Sequence, residues 1–214
     1  MDQFKRSLKL KKKMDQEYLK LKGCLTDTLV NKYMDLITKH SSNKLYAFNT
    51  YFFSTLYLYG FSRIHRWTKN IDIFSKKRLF IPVYFKSKTM WSLIYVNFKD
   101  KSIRFYDSHG NPGLKYQRLI LKYLKLEYLM KTGKFFSSTG WRYTNLNCLD
   151  DGFKCWDSGL FLCFVTNHFA QNLSRDASLS ISPETVGGER RVREKIENEL
   201  MDNRVRFCGE NFKN

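Results

Sequence analysis

The chain has 214 residues, 43% hydrophobic and 16% aromatic, enough apolar material to bury a substantial core, which excludes disorder throughout. Its 38 basic against 20 acidic residues leave a net charge of +18, a field that attracts nucleic acid, acidic protein faces or anionic lipid. No apolar run approaches the roughly 18 residues a membrane span needs, the best being 160–165, and the charged opening predicts no secretory leader.

Residues 1–22 read as a basic extension. Lys5, Arg6, Lys9, Lys11, Lys12 and Lys13 crowd together, while Leu8, Leu10, Met14, Tyr18 and Leu21 recur at roughly helical intervals. A solvated amphipathic helix is the plainer reading; a nuclear import signal and a nucleic-acid site compete with it. Residues 23–206 read as one domain and 207–214 as a tail, since no Pro- or Gly-rich linker divides them.

Within the domain, Thr26 or Asp27 is placed to cap a helix whose apolar face is Leu29, Val30, Tyr33, Met34 and Ile37. The stretch 48–59 is apolar nearly all round, predicting a buried helix that ends at Gly60. Then the period changes. Segments 78–84, 90–98 and 102–106 are short and rich in β-branched and aromatic residues, and Lys99-Asp100-Lys101 joins the last two as in a hairpin. Asn111-Pro112-Gly113 breaks the chain before a helix over 114–130, with Leu119, Ile120, Tyr123, Leu124 and Tyr128 facing inward. Residues 141–146 form a candidate strand. A second buried helix starts near Ser158-Gly159 and continues through Phe161, Val165 and Phe169, and a charged helix over about 189–200 closes the domain. Helices, then a strand cluster, then helices indicate the α+β class.

Cys24, Cys148, Cys155, Cys163 and Cys208 make an odd set without a CxxC pair, which argues against a disulfide framework and for a reducing nucleus or cytosol. No His alternates with them at short spacing, so neither a metal site nor a cofactor is expected.

Four stretches, in order, resemble the ubiquitin-like-protein-specific (sentrin/SUMO-specific) cysteine proteases. They are Cys24-Leu25-Thr26-Asp27-Thr28-Leu29; Phe48-Asn49-Thr50-Tyr51-Phe52-Phe53 with Arg66-Trp67-Thr68-Lys69 and Ile81-Pro82-Val83; Met90-Trp91-Ser92-Leu93 leading into Tyr106-Asp107-Ser108; and Trp156-Asp157-Ser158-Gly159-Leu160-Phe161-Leu162-Cys163. Together they cover about residues 24–200. The resemblance implies an α+β papain-like fold, a central mixed sheet flanked by helices. It also implies cleavage after the Gly-Gly end of SUMO by a Cys, His and Asp triad, with a Gln at the oxyanion and two Trp over the glycine tunnel.

Carried over position by position, the resemblance leaves that chemistry incomplete. Met90 stands where the family has the His before its Trp, here Trp91, and a thioether cannot take a proton from a nucleophile. Ser158 stands at the nucleophile, before Gly159; a hydroxyl is a far weaker nucleophile than a thiolate and depends all the more on a base. Gly152, preceded by Asp151, stands at the oxyanion Gln, and a carboxylate there repels developing negative charge. Of the triad only Asp107 matches, with no imidazole to orient. A Cys-to-Ser replacement made to trap a substrate would account for Ser158 but for neither Met90 nor Gly152. The enzyme alternative is a weak or atypical isopeptidase in which Ser158 or Cys155 works beside a relocated base such as His109; His40, His65 and His168 fall on helices elsewhere.

For binding, Trp91 keeps one wall of the tunnel while Cys24 replaces the other Trp. Asp27 and Phe48 match positions near the SUMO-facing surface, with a helix cap and a core residue as the competing readings. The expectation is therefore a pseudoprotease: a protein-interaction scaffold in a multi-subunit complex, nuclear or else cytoplasmic, with SUMO as a candidate uncleaved partner whose binding the Cys24 replacement leaves open. A basic nucleic-acid or chromatin module is the remaining alternative, with no membrane role.

Overall fold

In the computed structural model of the protein, alternation along three consecutive strands separates two cores. The structure describes residues 25–41, 44–147, 157–171 and 188–205. The expected helix within 1–22, the tail 207–214, and Cys24, Cys148, Asp151, Gly152, Cys155 and Cys208 lie outside the described residues.

Strands β1 (Leu45–Ala47), β2 (Arg78–Phe85), β3 (Met90–Asn97), β4 (Ser102–Asp107) and β5 (Arg142–Asn147) form one sheet in the order β1-β2-β3-β4-β5. The central pairs are antiparallel and both outer pairs parallel, so the sheet is mixed. Successive strand residues point to opposite faces. Phe80, Leu93, Tyr95 and Tyr106 therefore join one core, and Leu79, Ile81, Ile94, Val96, Ile103 and Phe105 the other. With helices on both faces of one mixed sheet, the expected α+β class holds.

On the first face pack α1 (Asp27–His40), α5 (Ser158–Gln171) and α6 (Gly188–Asp202). Helix α1 buries Leu29, Val30, Tyr33, Met34 and Ile37 as its periodicity predicts. Thr26, not Asp27, is its cap, accepting the Leu29 N–H at 3.4 Å. A buried polar knot ties the three helices: Tyr33 Oη donates to Glu199 Oε2 at 2.6 Å, and Asn167 Nδ2 donates to the same oxygen at 3.1 Å. Burial and the facing Glu199 carboxylate push the Tyr33 phenol well up, so it stays a donor.

On the second face pack α2 (Thr50–Tyr59), the short α3 (Phe61–Ile64) and α4 (Leu114–Thr132). Helix α2 begins later than its apolar pattern suggests, because Asn49 accepts the N–H groups of Tyr51 (3.1 Å) and Phe52 (3.0 Å) and fixes the first turn. Nor is it buried all round. Phe52, Phe53 and Leu56 face the sheet, whereas Tyr51 (56% exposed), Leu58 (66%) and Tyr59 face outward, because the sheet covers only one side of a ten-residue helix. On α4, Ile120, Tyr123 and Leu124 are buried, while Leu119 and Tyr128 are only half-buried. Polar Gln117 takes an inward place instead: its Nε2 donates to the carbonyls of Ile103 (2.8 Å) and Thr144 (2.7 Å), fastening α4 to β4 and β5.

Candidate functional site

The site assembles where the start of α5 meets the start of β3. Asp157 stands just before α5, and its Oδ1 accepts the N–H groups of Gly159 (2.7 Å) and Leu160 (3.2 Å), capping the helix. Its Oδ2 accepts the Leu25 N–H at 3.0 Å and lies 3.6 Å from Arg193 Nη2. One carboxylate thus pins α5, the entry to α1, and α6 together. Burial raises its pKa above 3.8; the bonds from Leu160 and Gly159 and the Arg193 charge pull the other way without overcoming that burial.

The capped turn fixes Ser158, which is 3% exposed and accepts the Trp91 N–H on its Oγ at 3.0 Å. Trp91 is 2% exposed; its indole Nε1–H donates to the Leu25 carbonyl at 2.9 Å and its ring lies 4.6 Å from that of Tyr84. Gly159 permits this packing: a Cβ there would sit 2.7 Å from Leu25 Cβ and 3.1 Å from Trp91 Cδ1. Met90, half-buried, opens β3 opposite Phe85. The structure therefore brings Met90, Trp91 and Ser158 together.

Asp107 ends β4 fully buried, and donors surround its carboxylate. The Ser92 hydroxyl and the N–H groups of His109 (2.9 Å) and Asn111 (3.0 Å) all point at it, as does Asn111 Nδ2 (3.0 Å). Asp107 thereby organises the turn that follows β4. His109, the relocated base of the enzyme alternative, is exposed and its Nδ1 lies 2.9 Å from Ser108 Oγ. Among the described residues no imidazole is hydrogen-bonded to Ser158. Cys163, one α5 turn beyond the site, is fully buried, and burial pushes its thiol well up, so it holds no thiolate.

Beside this cluster opens a groove of about 780 Å³ between the start of α1, the outer side of α2 and the β2–β3 turn. Leu25, Asp27, Tyr51, Tyr57, Tyr84 and Trp91 are among its walls. Asp27 accepts a hydrogen bond from Tyr51 Oη and faces this groove, Thr26 having taken the cap. Phe48 does not lie on a partner-facing surface. It is 2% exposed with its ring 3.9 Å from that of Phe52, because the backbone just before α2 turns it into the second core. The expected site residues Cys24 and Gly152 lie outside the described residues. The sequence reading missed Leu25, Tyr51, Tyr84 and Asp157. Of these, Asp157 carried a signal, an Asp directly before a helix start.

Residues 24–204 match the sequence model of the Ulp1 protease family, C-terminal catalytic domain. The chain belongs to this family. Sentrin-specific protease 3 of Mus musculus is 33% identical over 147 residues, covering 68% of this chain and 25% of the relative. Sentrin-specific protease 5 of Homo sapiens is 31% identical over 181 residues, covering 85% and 23%. The chain thus spans about a quarter of the length of the curated relatives it matches. Among solved structures, the C-terminal Ulp1 protease domain in complex with Smt3, the yeast ortholog of SUMO, superposes with a TM-score of 0.69 at 24% identity, over 89% of this chain and 82% of that one. The SUMO protease Ulp1 with its catalytic cysteine oxidized to a sulfenic acid gives 0.67 at 25% identity, over 88% and 82%. The mixed sheet that carries Met90, Trp91 and Asp107 is thus the Ulp1-family sheet.

Proposed function

We propose that this Ulp1-family domain is catalytically silent and serves as a binding module. The observation that carries the reading is the Ser158–Trp91 contact: the buried hydroxyl accepts a backbone amide where a nucleophile would face a base, and the residue before Trp91 is a methionine. A positioned general base contributes roughly 10²–10⁴-fold to such reactions, and groups that act as a unit are not replaced piecemeal. Met90, Ser158 and Gly152 thus stand as remnants of a base, a nucleophile and an oxyanion donor, and Asp107 holds a turn.

What the chain keeps is a place to bind. The groove beside Trp91 has aromatic side chains along much of its wall, with the Asp27 carboxylate at one side, and suits an extended peptide tail. SUMO is the first partner to consider, since the Ulp1 domain was solved with Smt3. The +18 charge favours an acidic partner surface and speeds its approach. In this reading the domain is a scaffold within a nuclear, or else cytoplasmic, multi-subunit complex.

The test combines SUMO–vinyl-sulfone labelling and fluorogenic SUMO cleavage with a calorimetric SUMO titration. The expected result is no adduct, no turnover, and binding that Tyr51→Ala weakens by roughly tenfold. Turnover that disappears on Ser158→Ala would overturn the reading.

A further inference from the structure

We propose that the outer side of α4 is a second binding surface, a cationic track for the backbone of single-stranded nucleic acid. Lys115, Arg118, Lys122 and Lys125 recur at spacings of three and four along this helix, so they share one face, opposite the buried Ile120, Tyr123 and Leu124. All four are exposed. They span about 15 Å at the helical rise per residue. None has a carboxylate partner among the described residues. The one acidic residue of α4, Glu127, points inward and pairs with Lys131 at 3.4 Å.

Helix α6 shows the contrast. It is also rich in arginine, but Arg190 pairs with Glu194 at 3.0 Å and Arg193 with Glu189 at 2.9 Å, the pattern of a solvated face that neutralises itself. Four like charges without such partners repel one another, and a bound polyanion relieves that repulsion.

Two features favour a nucleic acid over an acidic protein. Every fully exposed residue from Lys115 to Lys125 is cationic, the half-buried Tyr116 and Leu119 lying lower between them, whereas protein interfaces are centred on apolar or aromatic residues and depleted in lysine. At its N-terminal end the track also meets an aromatic group: Lys115 Nζ lies 4.8 Å from the Tyr116 ring centroid, and Tyr116 lies 5.9 Å from Tyr57, which is exposed. Cations followed by an open aromatic face are the parts that bind a single strand, phosphates on the cations and an unstacked base on the ring.

The experiment is fluorescence anisotropy of a labelled oligothymidylate of about a dozen nucleotides against the full chain, from about 50 to 200 mM salt. Each phosphate contact to a single strand adds about 0.7 to the steepness of log affinity against log salt. The triple change Arg118→Gln, Lys122→Gln, Lys125→Gln is expected to flatten that slope by about 2 and weaken binding by at least roughly tenfold at low salt. Tyr57→Ala weakens binding without flattening it. The comparison Lys9→Gln, Lys11→Gln, Lys12→Gln, Lys13→Gln leaves the α4 share of the slope in place. An unchanged thermal midpoint of the triple variant, expected for exposed side chains without partners, separates lost binding from lost folding. An unchanged slope in the triple variant would overturn the proposal. So would tighter binding of a duplex of the same length, or displacement of the strand by polyglutamate at matched charge, which would give α4 to an acidic protein.

Discussion

The backbone N–H of Trp91 donates to the Ser158 hydroxyl across 3.0 Å, binding the second residue of β3 to the first residue of α5. Ser158→Ala removes that acceptor and leaves a buried amide without a partner. The expected cost is about 1–2 kcal/mol, read as a lower urea midpoint with an unchanged slope. SUMO affinity should stay within about twofold, since the hydroxyl faces the amide. A loss of affinity as large as that of Tyr51→Ala would mean that Ser158 meets the partner directly.

Gly159→Ala places a methyl group 2.7 Å from Leu25 Cβ and 3.1 Å from Trp91 Cδ1. Alanine is the better helix former by about 1 kcal/mol, so an ordinary helical glycine would gain from this change. Here the expected outcome is a loss of about 1–3 kcal/mol from overpacking, with an altered Trp emission spectrum reporting the shift of the indole. A stabilised variant would contradict the tight approach of α1, β3 and α5.

Asp107→Ala strips the buried acceptor shared by Ser92, His109 and Asn111. Several donors lose their partner at once, so the expected destabilisation is at least about 2 kcal/mol. Hydrogen exchange should quicken at the amides of His109 and Asn111 before it does so in β3. If Asp107 served catalysis alone, its removal would leave exchange in that turn unchanged.

The pH dependence has a defined sign at His168. Burial, then the Arg78 charge, lowers its pKa below the ordinary 6.5. On acidification the unfolded chain therefore takes up this proton first. The stability due to neutral His168 is present above pH 6.5 and is lost as pH falls from there through the lowered value. His168→Gln should remove that part of the decline in urea midpoints. Asp157 acts in the opposite sense, because its raised pKa favours the folded state at acid pH, a contribution lost as pH rises from 3.8 through the raised value. An equal decline with and without His168 would place the responsible group elsewhere.

Much of the fold was legible because strand and helix periods differ. The alternation of Leu93, Ile94, Tyr95 and Val96 gave β3 both faces, and Leu29, Val30, Tyr33 and Ile37 gave α1 its buried side. Strand β1 was not legible: three residues carry no period, and Leu45–Ala47 is a strand only because β2 lies beside it. Helix α2 and its end at Gly60 were legible, but its burial was misread for a different reason. Periodicity counts apolar residues, and it cannot tell a core phenylalanine such as Phe52 from an outward tyrosine such as Tyr51. At the site, motif order led to Met90, Trp91, Asp107 and Ser158. The Ser158 bond to Trp91, the Asp157 bond to Leu25 and the inward turn of Phe48 depend on residues distant in the chain, which no local pattern reports.

The mixed sheet also bears on the order of assembly. Strands β2, β3 and β4 are linked by tight turns, whereas the parallel outer pairs must bring Leu45 to Arg78 and Ser102 to Arg142 across long stretches of chain. Closing the short loops costs less entropy, so the antiparallel meander is the natural nucleus. Substitutions at Ile94 or Ile103 should then slow refolding in stopped-flow measurements, while loss of the Ser158 acceptor should mainly hasten unfolding. Met90, Trp91 and Asp107 ride on the part that forms early, and α5 arrives to close over them.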